Sequence, residues 1–353
     1  MANILILGAG VMGTAFSFPL ADAGQEVSLV GTHLDQEWIQ GIRTDGIHPK
    51  LKAKLPEQVR PFTHDQLGDT LTENTDLIVL GVSSPGVDWA IRQLGEHLKQ
   101  PAPILMLTKG LAVRENHIHI LPAIVREGLA AYGIKDVPVG AVGGPCIAGE
   151  LAARRDSSVV LAFSEQKFLD WLLPLVAVPY YHARPSTDLI GVEVCAALKN
   201  FYALAVGYAS GLLEKQGKAE NGAFMHNLAA GLFTQAIAEM GYMVEFLGGT
   251  SANVYGLPGV GDLYVTCQAG RNSRMGRLLG LGLSYQEAKT KYMADDTVEG
   301  ADLALSIGPT LEALLEQGQL NPARLPLARV IIETICHNQL MQIPWTHFYP
   351  ASA

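Results

Sequence analysis

The sequence predicts an α/β chain in two parts: a doubly wound parallel sheet over residues 1–187, then an all-helical domain over residues 188–353. Three observations carry this reading. A glycine-rich turn joins the first strand to the first helix, and strand-length apolar runs then alternate with helix-length segments. That alternation stops after Pro185-Ser186-Thr187-Asp188. A chain of 353 residues is long enough for two cores.

Asn3–Leu7 (NILIL) is an apolar run ending in GAGVMG, Gly8 to Gly13, and TAFSFPLADAG follows with Gly24 as its C-cap. Strand, glycine turn and helix in that order are the Rossmann-type signature. Its glycines serve a tight turn, close approach to a pyrophosphate, and close helix–strand packing, while the helix N-terminus offers free N–H groups to phosphates. Glu26–Val30 is the second strand and Asp76–Val82 the next clear one; Ser84-Pro85 then starts a helix running through Leu98. Ile104–Thr108 runs into Lys109-Gly110, a helix is expected over roughly His117–Ala131, and strand Val137–Val142 ends at GGPCIAGE. Ser158–Phe163, a helix over Gln166–Leu175 and the short VPYYHA complete the pattern. Ligands of such sheets lie at the carboxyl ends of strands, where GAGVMG, Lys109 and GGPC all fall.

Beyond residue 187, long helical segments are expected over 189–213, about 222–247, 284–292, 301–316 and 325–340. Ser284-Tyr285-Gln286-Glu287 is a capping-box start for one of them. In LIGVEVCAALKNFYALAVGYASGLL, residues 189–213, Cys195, Leu198, Tyr202 and Ala205 recur at helical spacing. Lys199 lies among Cys195, Ala196, Leu198 and Ala203, so it either snorkels outward or meets an anion in a cleft. The longest apolar run, Phe201–Leu213, is too short to span a bilayer.

Composition narrows the function classes. Hydrophobic residues make up 48% and charged residues 17%, which suits a compact enzyme. A net charge of −9 argues against general nucleic-acid binding, so any anion site is a local exception. Cys146, Cys195, Cys267 and Cys336 stand far apart without a CxxC pair, as expected of reduced thiols in a cytoplasmic protein. No metal site is expected, since nothing near His117 and His119 completes one. The N-terminus carries no basic stretch before its apolar run and reads as a strand, not a signal peptide.

A second unusual stretch is GLPGVGDLYVTCQAGRNSRMG, residues 256–276, in which glycines surround Asp262 and Arg271, Asn272 and Arg274 follow. It suggests an irregular loop aiming one carboxylate, beside either an anion clamp or a solvated helix face.

These segments together resemble the NAD(P)-dependent glycerol-3-phosphate dehydrogenases, the bacterial type in particular, nearly end to end. The resemblance rests on GAGVMG, TKGL (108–111), GGPCIAGELA (143–152), DLIGVEVCAALKNFYALAVG (188–207), GVGDLYVTC (259–267), GRN (270–272) and VEG (298–300). It implies a Rossmann-type nucleotide domain with a 6-phosphogluconate dehydrogenase-like helical domain, and NAD or NADP as cofactor. The implied reaction is reversible reduction of dihydroxyacetone phosphate to sn-glycerol 3-phosphate, feeding glycerophospholipid synthesis. Lys199 would be the general acid and base, and Asp262 its orienting carboxylate. Asn200 would hydrogen-bond the substrate. Arg271 and Asn272, with Thr266 and Gly270, would clamp its phosphate. Lys109 would sit beside cofactor and substrate, and Gly144 and Cys146 match substrate-lining positions. Gly8, Gly10, Val11, Met12, Gly13, Ala148, Arg271, Thr297 and Glu299 match cofactor contacts. Arg274 and Arg277 are left as surface charges.

Two departures bear on specificity. The family usually has Ser or Thr where Cys146 stands, then an aromatic and a basic residue; this chain has Ile147 and Gly149. Gly31-Thr32-His33 offers neither a carboxylate for a ribose 2′-OH nor an arginine for a 2′-phosphate, so use of both cofactors is expected. The competing readings are a related dehydrogenase of another phosphorylated ketose or hydroxy acid, and a non-catalytic NAD(P) sensor. The apolar helices allow a homodimer or a closed core.

Overall fold

A computed structural model describes residues 1–217 and 223–348 of the chain. The chain divides into two compact units, one of Met1–Lys109 with Ile120–Glu193, the other of Gly110–His119 with Val194 onward.

The first unit holds β1 (Asn3–Leu7), α1 (Val11–Asp22), β2 (Glu26–Val30), α2 (Gln36–Asp45), β3 (Ile47–His48), β4 (Ala53–Lys54), β5 (Val59–Phe62), α3 (Leu67–Thr70), β6 (Leu77–Leu80), α4 (Val87–His97) and β7 (Ile104–Met106). The chain then forms a hairpin of β8 (Leu111–Arg114) and β9 (His117–Ile120), which belongs to the second unit. It returns as α5 (Leu121–Ala131), β10 (Val139–Gly143), α6 (Ala148–Ala152), β11 (Ser157–Ala162), α7 (Gln166–Leu175) and β12 (Tyr181–Ser186). Eight strands form one sheet in the order β12-β11-β10-β7-β6-β1-β2-β5. Strands β1 and β6 pair in parallel at its centre and are almost wholly buried, as an all-apolar run covered on both faces requires. The expected parallel sheet carries one antiparallel pairing. β11 runs antiparallel to β10, across a connection whose helix is the five-residue α6.

The helix expected from His117 begins only at Leu121, with Pro122 in its first turn. The preceding residues form the hairpin because Glu115 and Asn116 both adopt positive φ, 50° and 62°, the conformation a two-residue hairpin turn demands. The second unit is therefore helical apart from this hairpin, not all-helical throughout. The compact units part after Glu193, and residues 110–119 join the second.

Its helices are α8 (Leu189–Gln216, begun in the first unit), α9 (His226–Phe246), α10 (Asp262–Gln268), α11 (Arg271–Gly280), α12 (Tyr285–Tyr292), α13 (Glu299–Glu316), α14 (Pro326–Ile335) and α15 (Trp345–Phe348). The expected start of α9 near residue 222 lies outside the described residues. Helix α14 stops five residues short of the expected 340. Asn338 takes a left-handed φ of 55°, which turns the chain out of the helix, and Gln339 N–H closes back on the Glu333 carbonyl at 3.1 Å. Helix α8 is long and apolar enough to cross a membrane, yet 94% of its most apolar window is buried in the protein. Part of that burial is a glycine contact: a Cβ on Gly207 or Gly211 would fall 2.5 Å or 1.9 Å from backbone oxygens of α11, and one on Gly276 or Gly280 about as close to α8. Only glycine at these four positions lets the backbones meet, and the crossing holds the first turn of α11 beside the middle of α8. Glu239 of α9 caps the start of α14, accepting from the Leu327 and Ala328 N–H groups at 2.6 and 2.7 Å and from the Tyr202 hydroxyl at 3.2 Å.

Candidate active site

In the first unit the glycine turn is shaped by close approach. Gly8 has φ 115°, and a Cβ there would lie 2.7 Å from the Gly81 backbone at the end of β6. A Cβ on Gly13 would lie 2.1 Å from the Gly8 carbonyl oxygen. Gly10 differs: the nearest atom to its missing Cβ is 4.0 Å away, so packing does not explain the glycine. Open space over Gly10, at the start of a twelve-residue helix, is what a pyrophosphate needs. Thr14 N–H bonds back to the Gly10 carbonyl, which leaves the N–H groups of Val11, Met12 and Gly13 without intrahelical acceptors. The turn thus fits the dinucleotide that the fold implies.

Two residues that the sequence reading missed brace this turn. Asp35 lies five residues beyond β2, and its buried carboxylate folds back to accept from the Ala9 N–H at 3.2 Å and from the Thr32 N–H and hydroxyl, both at 2.9 Å. His48 sits on the Ala9 carbonyl at 3.0 Å through Nε2, while Nδ1 accepts from the Leu51 N–H. That pair of bonds fixes a neutral imidazole with its proton on Nε2, and burial lowers its pKa further. A carboxylate a few residues past β2 was the signal available for Asp35; His48 is joined to the turn only by tertiary contact.

The other expected contacts of this unit are spread over its sheet edge. Met12, Cys146 and Ala148 pack against one apolar cluster, and Ala148 opens α6. Gly144 follows β10 with φ 125°, and Lys109 follows β7, its carbonyl accepting from the Ser84 hydroxyl at 2.8 Å. Ile147 is 46% exposed, and a Cβ on Gly149 would meet no atom within 4 Å. Glu193, which no motif singled out, is fully buried, and neither carboxyl oxygen meets a hydrogen-bond partner among the described residues. Burial pushes its pKa up to about 8, with the Lys109 charge opposing.

In the second unit, Lys199 and Asp262 form an ion pair through Nζ and Oδ1. Lys199 is 8% exposed and Asp262 2%, so the lysine neither snorkels nor stands alone. A tight π-type turn over Leu257–Gly261 delivers Asp262 to the first position of α10; a Cβ on Gly259 would strike the Val254 carbonyl oxygen at 2.0 Å. The expected irregular loop is thus mostly helix, with irregular backbone only where the carboxylate is aimed. Cys267 lies close enough to feel the Lys199 charge, but burial dominates and pushes its thiol up to about 12.

Next to Lys199, Asn200 opens a chain of bonds. Its Nδ2 donates to Glu299 Oε2 at 2.9 Å, and its Oδ1 accepts from Asn272 Nδ2 at 3.0 Å. Asn272 Oδ1 in turn accepts the Gly300 N–H at 2.9 Å in the first turn of α13. Arg271 Nη2 reaches Glu299 Oε1 at 3.4 Å. Gly270, with φ 118°, precedes α11, and Arg274 N–H bonds back to its carbonyl. The N–H groups of Arg271, Asn272 and Ser273 are thereby left as the free first turn of a ten-residue helix. Lys199, Asn200, Asp262, Gly270, Arg271, Asn272 and Glu299 are thus brought together. Thr266 spends its hydroxyl proton on the Asp262 carbonyl at 2.7 Å, and Thr297 is exposed in the loop before α13. Arg274 and Arg277 are tied to Asp296 and Glu214.

A buried lysine–carboxylate pair beside a cluster of anion donors, and a glycine turn fit for a dinucleotide, describe a dehydrogenase of phosphorylated substrates. Comparison with known proteins agrees. The NAD-dependent glycerol-3-phosphate dehydrogenase N-terminal family model matches residues 3–169, and the C-terminal model matches residues 188–343. The chain is 36% identical to an NADP(+)-dependent glycerol-3-phosphate dehydrogenase of Archaeoglobus fulgidus over 81% of this chain and 82% of that one. It is 30% identical to a glycerol-3-phosphate dehydrogenase [NAD(P)+] of Shouchella clausii, over 88% of each chain. The crystal structure of glycerol-3-phosphate dehydrogenase from Coxiella burnetii superposes with a TM-score of 0.79 at 27% identity, covering 98% of this chain and 97% of that one. By both family models and by its relatives, the chain belongs to the NAD-dependent glycerol-3-phosphate dehydrogenases.

Proposed function

We propose that the protein reversibly reduces dihydroxyacetone phosphate to sn-glycerol 3-phosphate with NADH or NADPH. The carrying observation is the buried Lys199–Asp262 pair, one residue along α8 from the Asn200–Asn272–Arg271 cluster. The nicotinamide, when bound, supplies and accepts the hydride. In reduction, Lys199 Nζ gives a proton to the substrate's carbonyl oxygen, and its charge stabilises the developing alkoxide. In oxidation the resulting amine takes that proton back. Asp262 holds the lysine in one direction and offsets the cost of its burial. Asn200 has its amide orientation set by Asn272 and donates to a substrate oxygen. Arg271 and the first-turn N–H groups of α11 hold the phosphate.

On the cofactor side, Asp35 holds Ala9 and Thr32 rather than facing outward as an open carboxylate at the end of β2, which supports use of both dinucleotides. None of the four cysteines is in a disulfide, which supports a reducing, cytoplasmic setting.

The test is the initial rate of NADH and of NADPH oxidation with dihydroxyacetone phosphate, beside unphosphorylated dihydroxyacetone. Turnover with both dinucleotides that requires the phosphate is expected, and Lys199→Ala should abolish it with cofactor binding intact. Turnover indifferent to the phosphate would refute the clamp. Turnover only with another polyol phosphate would assign a remodelled pocket at Cys146, Ile147 and Gly149.

A further inference from the structure

The clamp of the second unit already contains an anion. Glu299 places one carboxylate oxygen 2.9 Å from Asn200 Nδ2 and the other 3.4 Å from Arg271 Nη2. These two donors are the groups assigned above to substrate and phosphate. The direction of the Asn200 amide is not free: Asn272 donates to its oxygen and is itself oriented by the Gly300 N–H, so Nδ2 is turned toward Glu299. Glu299 cannot easily sit elsewhere along the chain either. Its neighbour Gly300 packs directly on Asn200, where a Cβ would lie 2.1 Å from the Asn200 carbonyl oxygen. As the first residue of an eighteen-residue helix, Glu299 also has its charge favoured by the helix dipole.

We propose that Glu299 is a specificity-determining internal anion: its carboxylate fills the Arg271–Asn200 clamp of the unliganded protein, and a substrate is accepted only when its own anion displaces it. This rests on the reading of Arg271 and Asn200 as the substrate clamp. The hold is firm enough to exclude weak ligands and loose enough to yield. The Asn200 bond is short and partly buried, whereas the Arg271 contact is long, with side chains 50% and 46% exposed. A phosphate dianion brings more charge than the carboxylate, and three oxygens able to use the first-turn N–H groups of α11 as well as the arginine fork. A substrate carboxylate exchanges like for like and gains nothing. A neutral hydroxyl cannot compensate Arg271 for the lost charge. The same residue therefore selects against hydroxy acids and unphosphorylated ketones, which the donors alone would not reject.

The experiment is calorimetric titration of the full chain, without dinucleotide, using inorganic phosphate and glycerate as probes. Leaving out the dinucleotide keeps any cofactor contact of Glu299 out of the measurement. Wild type is compared with Glu299→Gln, Glu299→Ala and Arg271→Ala. Removing the internal anion should tighten phosphate binding roughly tenfold, and loss of the arginine should weaken it by a similar factor. Glycerate should bind the Glu299 variants and not wild type, and the preference of kcat/KM for dihydroxyacetone phosphate over dihydroxyacetone should narrow in Glu299→Gln. If phosphate affinity is unchanged or weaker in both Glu299 variants while Arg271→Ala weakens it, the internal-anion role is wrong and the clamp stands. If Arg271→Ala has no effect either, or phosphate binds none of the four proteins, the clamp reading falls and takes this inference with it.

Discussion

Replacing Glu193 with glutamine removes one ionisation from a fully buried site and leaves its shape unchanged. The carboxyl has no hydrogen-bond partner among the described residues, and burial lifts its pKa to about 8 from the ordinary 4.5. The sign follows from which state holds the proton. Above pH 4.5 the unfolded chain releases a proton that the folded protein keeps, so unfolding becomes easier as pH rises. The stabilisation is fully present below the unfolded pKa and is lost as pH climbs through the folded one. At about 1.4 kcal/mol per pH unit, the interval from pH 5 to pH 8 costs about 4 kcal/mol. With about 2.1 cal/mol/K of unfolding entropy per residue, a chain of 353 residues moves by about 1.3 °C per kcal/mol, a shift on the order of 5 °C. Thermal unfolding of wild type and Glu193→Gln at pH 5 and pH 8.5, at one ionic strength, measures it. The variant should gain on wild type by that amount between the two pH values. Parallel curves, with a difference that does not move with pH, would refute the argument and show that Glu193 is charged and paired in the folded protein.

Three further outcomes follow from the geometry. Asp262→Asn leaves Lys199 buried without its counter-charge, so kcat should fall by about two to four decades with dinucleotide affinity retained, as steady-state rates and NADH fluorescence titration will show. Gly10→Ala should fold and lose dinucleotide affinity at least about tenfold, whereas Gly13→Ala should be destabilised, because only the second Cβ meets backbone, at 2.1 Å. Equal behaviour of the two in thermal melts would show that the turn is held open for packing rather than for a ligand. Glu239→Ala orphans the Leu327 and Ala328 N–H groups and the Tyr202 hydroxyl; it should lower stability by about 3–5 kcal/mol in denaturant titrations while leaving KM for the folded fraction unchanged.

What was legible in the sequence was whatever depends on local pattern. The run NILIL before GAGVMG, and the all-buried LIVL of β6, are apolar enough to state their places in a sheet covered on both faces. The Ser284 cap is local chemistry too, its side chain accepting the Glu287 N–H at 3.3 Å. Lys199, Asn200, Asp262, Arg271 and Asn272 stand in long, distinctive segments, which is why the sequence singles them out as site candidates. The hairpin over 111–120 was hidden because its second strand, His117–Ile120, runs without a break into the apolar helix that starts at Leu121. The antiparallel β11 was hidden because strand direction is set by where the chain returns, not by strand composition.

Apart from the Lys199–Asp262 pair, which the family resemblance implies, the pairing of charges belonged to the tertiary structure. Lys199 and Asp262 are 63 residues apart, and beyond that resemblance nothing in either neighbourhood says that one neutralises the other. Asn200 and Glu299 are 99 apart, and the glycine that brings their helices together, Gly300, reads locally as a poor helix former. Glu193 shows the converse: a charged residue in an apolar helix reads as a surface position until packing surrounds it on every side. The sequence determined which chemical groups this protein has and which local elements carry them. Their charge states, their partners and the anion already seated in the clamp were decided by burial and by contacts between distant segments, because desolvation and Coulomb energy depend on distance in space and not along the chain.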